Sequence, residues 1–300
     1  MWPALFVYNL TMLSRCSSYS FVLLCALSVI FPLALSAQQG PPASSARILL
    51  LPKRIVSGET ATLAVLDVNG RLTPGVTVNF SNGDHLVTNT TGRALFVAPL
   101  NPGVIYATIA SRPGRVYATI LTPAEVRSSS LRVSDAPTFA SLADRFELFG
   151  SGFCGEADAN KVRVAGKPAL VLASSPAALV VLPPADLASG PAVIEASCAK
   201  PSVAPFSITF LGLTLDADSS PLAPSEHRTL TVHVSGTLDR IPLEARNLSP
   251  EVAELTAGNP ARISSSGGAD NAAQFDIIGR ERGNFRISVR LLPTPTPLRP

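Results

Sequence analysis

The chain is poor in charge: 15% of its 300 residues are Asp, Glu, Lys or Arg, and the net balance is only +3. No run of basic residues occurs, so electrostatic capture of nucleic acid or of an anionic membrane has no footprint in the sequence. Aromatic side chains are also scarce, at 6%, with Trp2 the sole tryptophan. Four cysteines are too few for a small disulfide scaffold. No long apolar segment of 3.6-residue period escapes the prolines, which number 27, about twice the usual ~5% share. Helical architectures are thereby disfavoured. A hydrophobic fraction of 46% still excludes wholesale disorder and is enough to bury real cores.

Phe21 to Ala37 is an uncharged apolar stretch preceded by Arg15 and followed by Gln38 and Gln39. That layout is a secretory signal, with cleavage expected after Ala37. An uncleaved anchor fits less well, because spanning a bilayer takes ~20 apolar residues and Pro32 interrupts a shorter run. Residues 1–11 contain no charge, which points to translation starting at Met12. Neither Cys16 nor Cys25 follows the small residues of a lipoprotein signal. Contact with the membrane is thus expected only through the signal segment before cleavage. The protein is expected to be secreted, periplasmic or held at the cell surface. Of the four cysteines only Cys154 and Cys198 lie beyond the leader. An oxidising compartment pairs such thiols, so a Cys154–Cys198 disulfide is expected.

After the leader, apolar residues recur in short runs of period two, rich in Val, Ile, Leu and Thr and separated by Pro, Gly, Asn or Ser. This pattern predicts many short strands, among them 47–51, 61–66, 76–80, 94–98, 105–109 and 116–121. Tyr106-Ala-Thr-Ile109 recurs as Tyr117-Ala-Thr-Ile120 around Arg112-Pro-Gly114, which reads as a hairpin. Residues 38–45 form a flexible leader, 122–130 a polar joint, and Phe210-Leu211-Gly212 a second joint. The units bounded in this way, 46–122, 123–210 and 211–293, each suit a β-sandwich of ~7 short strands. Residues 294–300 are a Pro-rich tail.

In the first unit, Asp67-Val-Asn-Gly70, Pro74-Gly-Val-Thr-Val-Asn-Phe80, Thr90-Thr-Gly92-Arg-Ala94 and Gly103-Val-Ile-Tyr-Ala-Thr-Ile109 together resemble a bacterial Ig-like domain of the invasin type. In the second, Phe146-Glu-Leu-Phe-Gly-Ser-Gly-Phe153, Lys161-Val-Arg-Val-Ala-Gly166, Ala178-Leu-Val-Val-Leu-Pro183 and Gly190-Pro-Ala-Val-Ile-Glu-Ala196 resemble an IPT/TIG domain with a shortened opening around Pro137 to Ser141. The third, with Ser249-Pro-Glu-Val-Ala-Glu-Leu255 and Gly283-Asn-Phe-Arg-Ile-Ser-Val289, is weakly similar to bacterial Ig-like repeats. The resemblance implies an all-β chain of three consecutive Ig-like β-sandwiches without a catalytic centre.

Candidate chemistry is sparse. Gly150-Ser-Gly152-Phe-Cys-Gly155 fits G-x-G-x-x-G, but a dinucleotide turn must open a helix, and Glu156 to Asn160 has no apolar face before a strand begins at Lys161. The glycines are expected to permit a tight loop beside the disulfide. His227 and His233 lack zinc-site spacing. Asp84-His85 offers two thirds of a triad, yet no G-x-S-x-G elbow exists and Asn82-Gly83 reads as a turn. Asp216 with Asp218, and Asp67 with Asn69, are expected to be solvated turn groups rather than calcium ligands. No cofactor, metal or catalytic residue is therefore expected. The expected role is a non-enzymatic structural or adhesive module with a protein or glycan partner at the surface or in the envelope, and no nucleic acid. The alternative is a carbohydrate-binding or accessory protein, although beyond the leader only Tyr106 and Tyr117 join the phenylalanines as sugar platforms.

Overall fold

The computed structural model describes residues 47–109, 114–126, 130–198, 204–216 and 220–292. The stretch expected to be a signal segment, Met12, residues 38–45, the 294–300 tail, Asp218 and Arg112-Pro113 of the expected turn lie outside them. The described residues are all-β, with strands in sandwich pairs of sheets and one 3-10 turn, Ala157–Ala159.

The first sandwich holds β1 (Ile48–Leu50), β2 (Arg54–Val56), β3 (Thr60–Leu66), β4 (Thr77–Phe80), β5 (His85–Val87), β6 (Arg93–Val97), β7 (Gly103–Ile109) and β8 (Val116–Leu121). One sheet is β1-β3-β6 and the other β2-β8-β7-β4-β5. Alternation sends Leu63, Val65, Val78, Ile105, Ala107 and Ile120 into the core between them. The duplicated tetrapeptide forms the expected hairpin, and Tyr106 stands opposite Tyr117 in its ladder. Pro52 divides the first strand. Lacking an N–H, proline cannot continue a ladder, so the chain leaves one sheet after β1 and joins the other as β2, parallel to β8.

The second sandwich repeats that device. Here β9 (Arg132–Asp135) and β10 (Phe139–Ser141) flank Pro137, and β10 runs parallel to β16 (Phe206–Asp216). Between them come β11 (Phe146–Ser151), β12 (Asn160–Val164), β13 (Lys167–Ser175), β14 (Ala178–Leu182) and β15 (Gly190–Cys198). Strand β13 belongs to both sheets, pairing with β12 through Ala169 and with β14 from Leu170 onward. The core includes Leu148, Val164, Val181, Ile194, Ile208 and Phe210.

The third sandwich shares β16. Its other strands are β17 (His227–Ser235), β18 (Pro242–Asn247), β19 (Ala253–Leu255), β20 (Ala261–Ser264), β21 (Ala272–Gly279) and β22 (Ile287–Leu291). The sheets are β16-β17-β21-β19 and β20-β18-β22. Phe210-Leu211-Gly212, read as a joint from the sequence, lies inside a continuous eleven-residue strand. Phe206–Phe210 pair with β15, whereas Gly212–Asp216 pair with β17. Phe210 enters the second core and Leu211 the third, so consecutive side chains seal two sandwiches and leave no linker.

The first and second sandwiches are also fused. Ala61, Leu63 and Val65 of β3 face their own core, while Ala64 and Leu66 pack with Ile48 and Leu50 against Leu172, Ala173 and Val180 of the second sandwich. Such a strand has no solvent face. Thr62 of β3 pairs with Ser174 of β13, and both hydroxyls donate to the Gly155 carbonyl at 2.7 Å. Arg93 crosses the same boundary. Its Nε donates to the Leu172 carbonyl (3.1 Å), its Nη2 to the Val171 carbonyl (2.7 Å), and its Nη1 to Asp158 Oδ1 (3.0 Å).

Candidate functional site

The G-x-G-x-x-G segment is a structural loop. Gly150 follows a register shift in the ladder against β9, and a Cβ there would overlap the Arg132 carbonyl oxygen. Gly152 has φ +72°, a left-handed conformation that glycine adopts without a Cβ penalty. A Cβ on Gly155 would strike the Thr60 carbonyl of the first sandwich. No helix follows that could face a pyrophosphate; a 3-10 turn of three residues leads directly into β12. Cys154 is bonded to Cys198, with Cα atoms 5.6 Å apart across 44 residues of sequence. Asn160 clips the loop shut. Its Oδ1 accepts from the Cys154 N–H (2.9 Å), and its Nδ2 donates to the carbonyls of Cys154 (2.8 Å) and Glu156 (2.9 Å).

The histidines do not converge. His85 opens β5 and places Nδ1 2.8 Å from Asn79 Oδ1, while Asp84 bonds to Asn82. His227 opens β17 and His233 lies six residues further along the same strand. Six strand residues at ~3.3 Å each separate them by about 20 Å, too far to share a metal. Asp67 is consumed by its turn, its Oδ1 accepting from the N–H groups of Asn69 (2.8 Å) and Arg71 (2.9 Å). Among the described residues no three His, Cys, Asp or Glu side chains gather in a metal-binding group.

One surface does combine binding features. The outer face of β2-β8-β7-β4-β5 carries Tyr106 and Tyr117 side by side, 41% and 50% exposed. Cross-strand neighbours at these positions have Cβ atoms ~5 Å apart, so the two tyrosines project from one spot on the same face. Around it the ladder sets Thr108 beside Asn79, Asn79 beside His85, and Val104 beside Thr119. Thr119 lies next to Arg54, whose guanidinium stacks 4.5 Å from the centre of the Phe149 ring in the second sandwich. None of the five strands contains a carboxylate. The face is therefore aromatic, uncharged but for Arg54, and rich in hydrogen-bonding groups.

No family model matches the chain, and no curated protein matches it. Among solved structures it is similar to the Bacteroides ovatus mixed-linkage glucan utilization locus protein SGBP-B in complex with a mixed-linkage heptasaccharide, at 11% identity and TM-score 0.32, over 86% of this chain and 76% of that one. The S-layer protein rSbsC(31-844) is similar at 12% identity and TM-score 0.21, over 83% of this chain and 38% of that one. The plexin A4 extracellular region is similar at 10% identity and TM-score 0.31, over 88% of this chain and 35% of that one. Scores of this size establish neither kinship nor function.

Proposed function

We propose that the protein is an exported, non-enzymatic structural or adhesive module, with a protein or glycan partner at the cell surface or in the envelope. The observation that carries this reading is the hinge-free series of sandwiches. Arg93, Thr62 and the Gly155 carbonyl bind the first to the second, and β16 is common to the second and third. A spacer that holds a binding face away from its anchor needs that stiffness. The Cys154–Cys198 disulfide supports export, since cytosolic reductants keep such thiols apart. The invasin-type and IPT/TIG assignments belong to the same reading. Small-angle scattering of residues 38–300 tests it. One maximum dimension, unchanged by salt, is expected, and a broad ensemble of inter-sandwich angles would refute the spacer.

A carbohydrate-binding role is the second reading, and the Tyr106–Tyr117 pair favours it. Affinity electrophoresis in gels containing a neutral β-glucan should retard the protein, with retardation lost in the Tyr106→Ala/Tyr117→Ala double variant. Equal migration of both proteins would remove the sugar role and leave the spacer intact.

A further inference from the structure

Three arginines distant from one another in sequence, Arg246, Arg262 and Arg290, meet on the outer face of the β20-β18-β22 sheet. Glu244 is the middle residue of that face. The ladder places Arg262 directly opposite it on one side and Arg290 on the other, with Arg246 two positions along β18. Neighbouring strands are ~4.8 Å apart, so three arginines share this face with one carboxylate; Arg290 and Arg246 pair with it, and Arg262 extends into solvent. Glu244 Oε1 accepts from Arg290 Nη2 at 2.5 Å. Arg246 Nη2 stands 3.8 Å from the same oxygen, beyond hydrogen-bond reach, and its side chain is 41% exposed. One carboxylate against three arginines leaves two positive charges unbalanced.

A second observation singles out the same spot. Ser288 lies opposite Arg246 in the ladder, on the face away from the core that Ile287 and Val289 enter, and it is 2% exposed. Its Oγ and the Nε of Arg290 are the buried side-chain polar atoms without a hydrogen-bond partner among the described residues. Both carry an N–H or O–H to donate. Buried donors are ordinarily satisfied, and these two sit beside an excess of positive charge.

We propose that this face is an oxyanion site: Arg246 and Arg262 supply charge, while Arg290 Nε and the Ser288 hydroxyl donate to a sulfate or phosphate group carried on an extracellular polysaccharide. Arginine suits such groups because its planar fork of donors matches oxyanion geometry. Arg246, held to Glu244 only by an ion pair at 3.8 Å, is the side chain that swings to admit the ligand and uncover Ser288. Export, which the disulfide supports, would set the site outside the cytosol, where acidic polysaccharides rather than nucleic acids are the abundant polyanions. The polysaccharide carrier rests on the export proposed above; the oxyanion site itself depends on neither the tyrosine face nor the spacer.

The test uses the oxidised chain, residues 38–300, with dextran sulfate, neutral dextran, inorganic sulfate, inorganic phosphate and duplex DNA as probes. Dextran sulfate is expected to bind, with affinity falling as salt rises, and inorganic sulfate or phosphate to compete. The Arg246→Gln/Arg262→Gln variant, which keeps the Glu244–Arg290 pair, should lose about tenfold or more in affinity. Ser288→Ala separates binding from folding. Removing an unsatisfied buried hydroxyl should leave the melting temperature unchanged or raised, yet weaken inorganic sulfate competition. Undiminished dextran sulfate binding by the arginine variant, or equal competition by neutral dextran, would overturn the site. Undiminished sulfate competition by Ser288→Ala would overturn the buried donor's role, and equal affinity for duplex DNA would overturn the choice of a polysaccharide.

Discussion

Gly155 shows how one residue couples two sandwiches. The absence of a Cβ lets its backbone lie against Thr60, and its carbonyl then collects two hydroxyl hydrogen bonds. Gly155→Ala is expected to cost more than about 2 kcal/mol, because backbone on both sides must shift. Gly166→Ala provides the contrast. That glycine has φ +76° with nothing near a Cβ, so only the left-handed backbone penalty of about 1 kcal/mol applies. Urea denaturation of the two variants should separate these values. Asp186 offers a pH-dependent case. The hydrogen bond from Lys167 Nζ, at 2.7 Å, holds its carboxyl below the ordinary carboxylate value. A lowered folded-state pKa contributes stability above the unfolded-state value, and that contribution is lost as pH falls through the folded one. Carboxyl-detected NMR should show Asp186 titrating below the ordinary range, and Lys167→Met should return it there.

At the scale of elements, the junction between β3 and β13 depends on Arg93. Its side chain is 7% exposed and satisfies two carbonyls as well as Asp158. Arg93→Ala would leave the carbonyls of Val171 and Leu172 without their donor at a buried boundary. A loss of about 3 kcal/mol is expected, with new proteolytic cleavage near the junction. Unchanged stability and cleavage would show that the apolar cluster alone holds the boundary. The two prolines that split β1 from β2 and β9 from β10 act at this scale too. Each converts one opening strand into edges of two different sheets, a consequence of a missing N–H rather than of side-chain packing.

For the whole molecule, the shared cluster around Ala64, Leu66, Leu172 and Val180 makes the first two sandwiches one cooperative unit. Calorimetry should show them melting in a single transition, and Leu172→Asp should split it in two, because burying an unpaired carboxylate breaks the contact without touching either core. Independent transitions in the unaltered protein would refute the fusion.

Period-two alternation, turn chemistry and proline frequency were enough, read along the chain, to specify an all-β molecule, the β7–β8 hairpin and the structural character of the glycine loop, since these follow from local backbone and side-chain rules. The full burial of β3 was not legible, because its second apolar face is covered by residues more than a hundred positions away. Nor was the continuity of β16 through Phe210-Leu211-Gly212, where a glycine that suggests a joint instead lets Ser235 of the next strand approach. The tyrosine pair, the Arg93 clasp and the arginine face around Glu244 share that origin. The first and last are rows across paired strands and the clasp spans two sandwiches, and such neighbours are chosen by register, sheet order and packing, which only the tertiary structure decides.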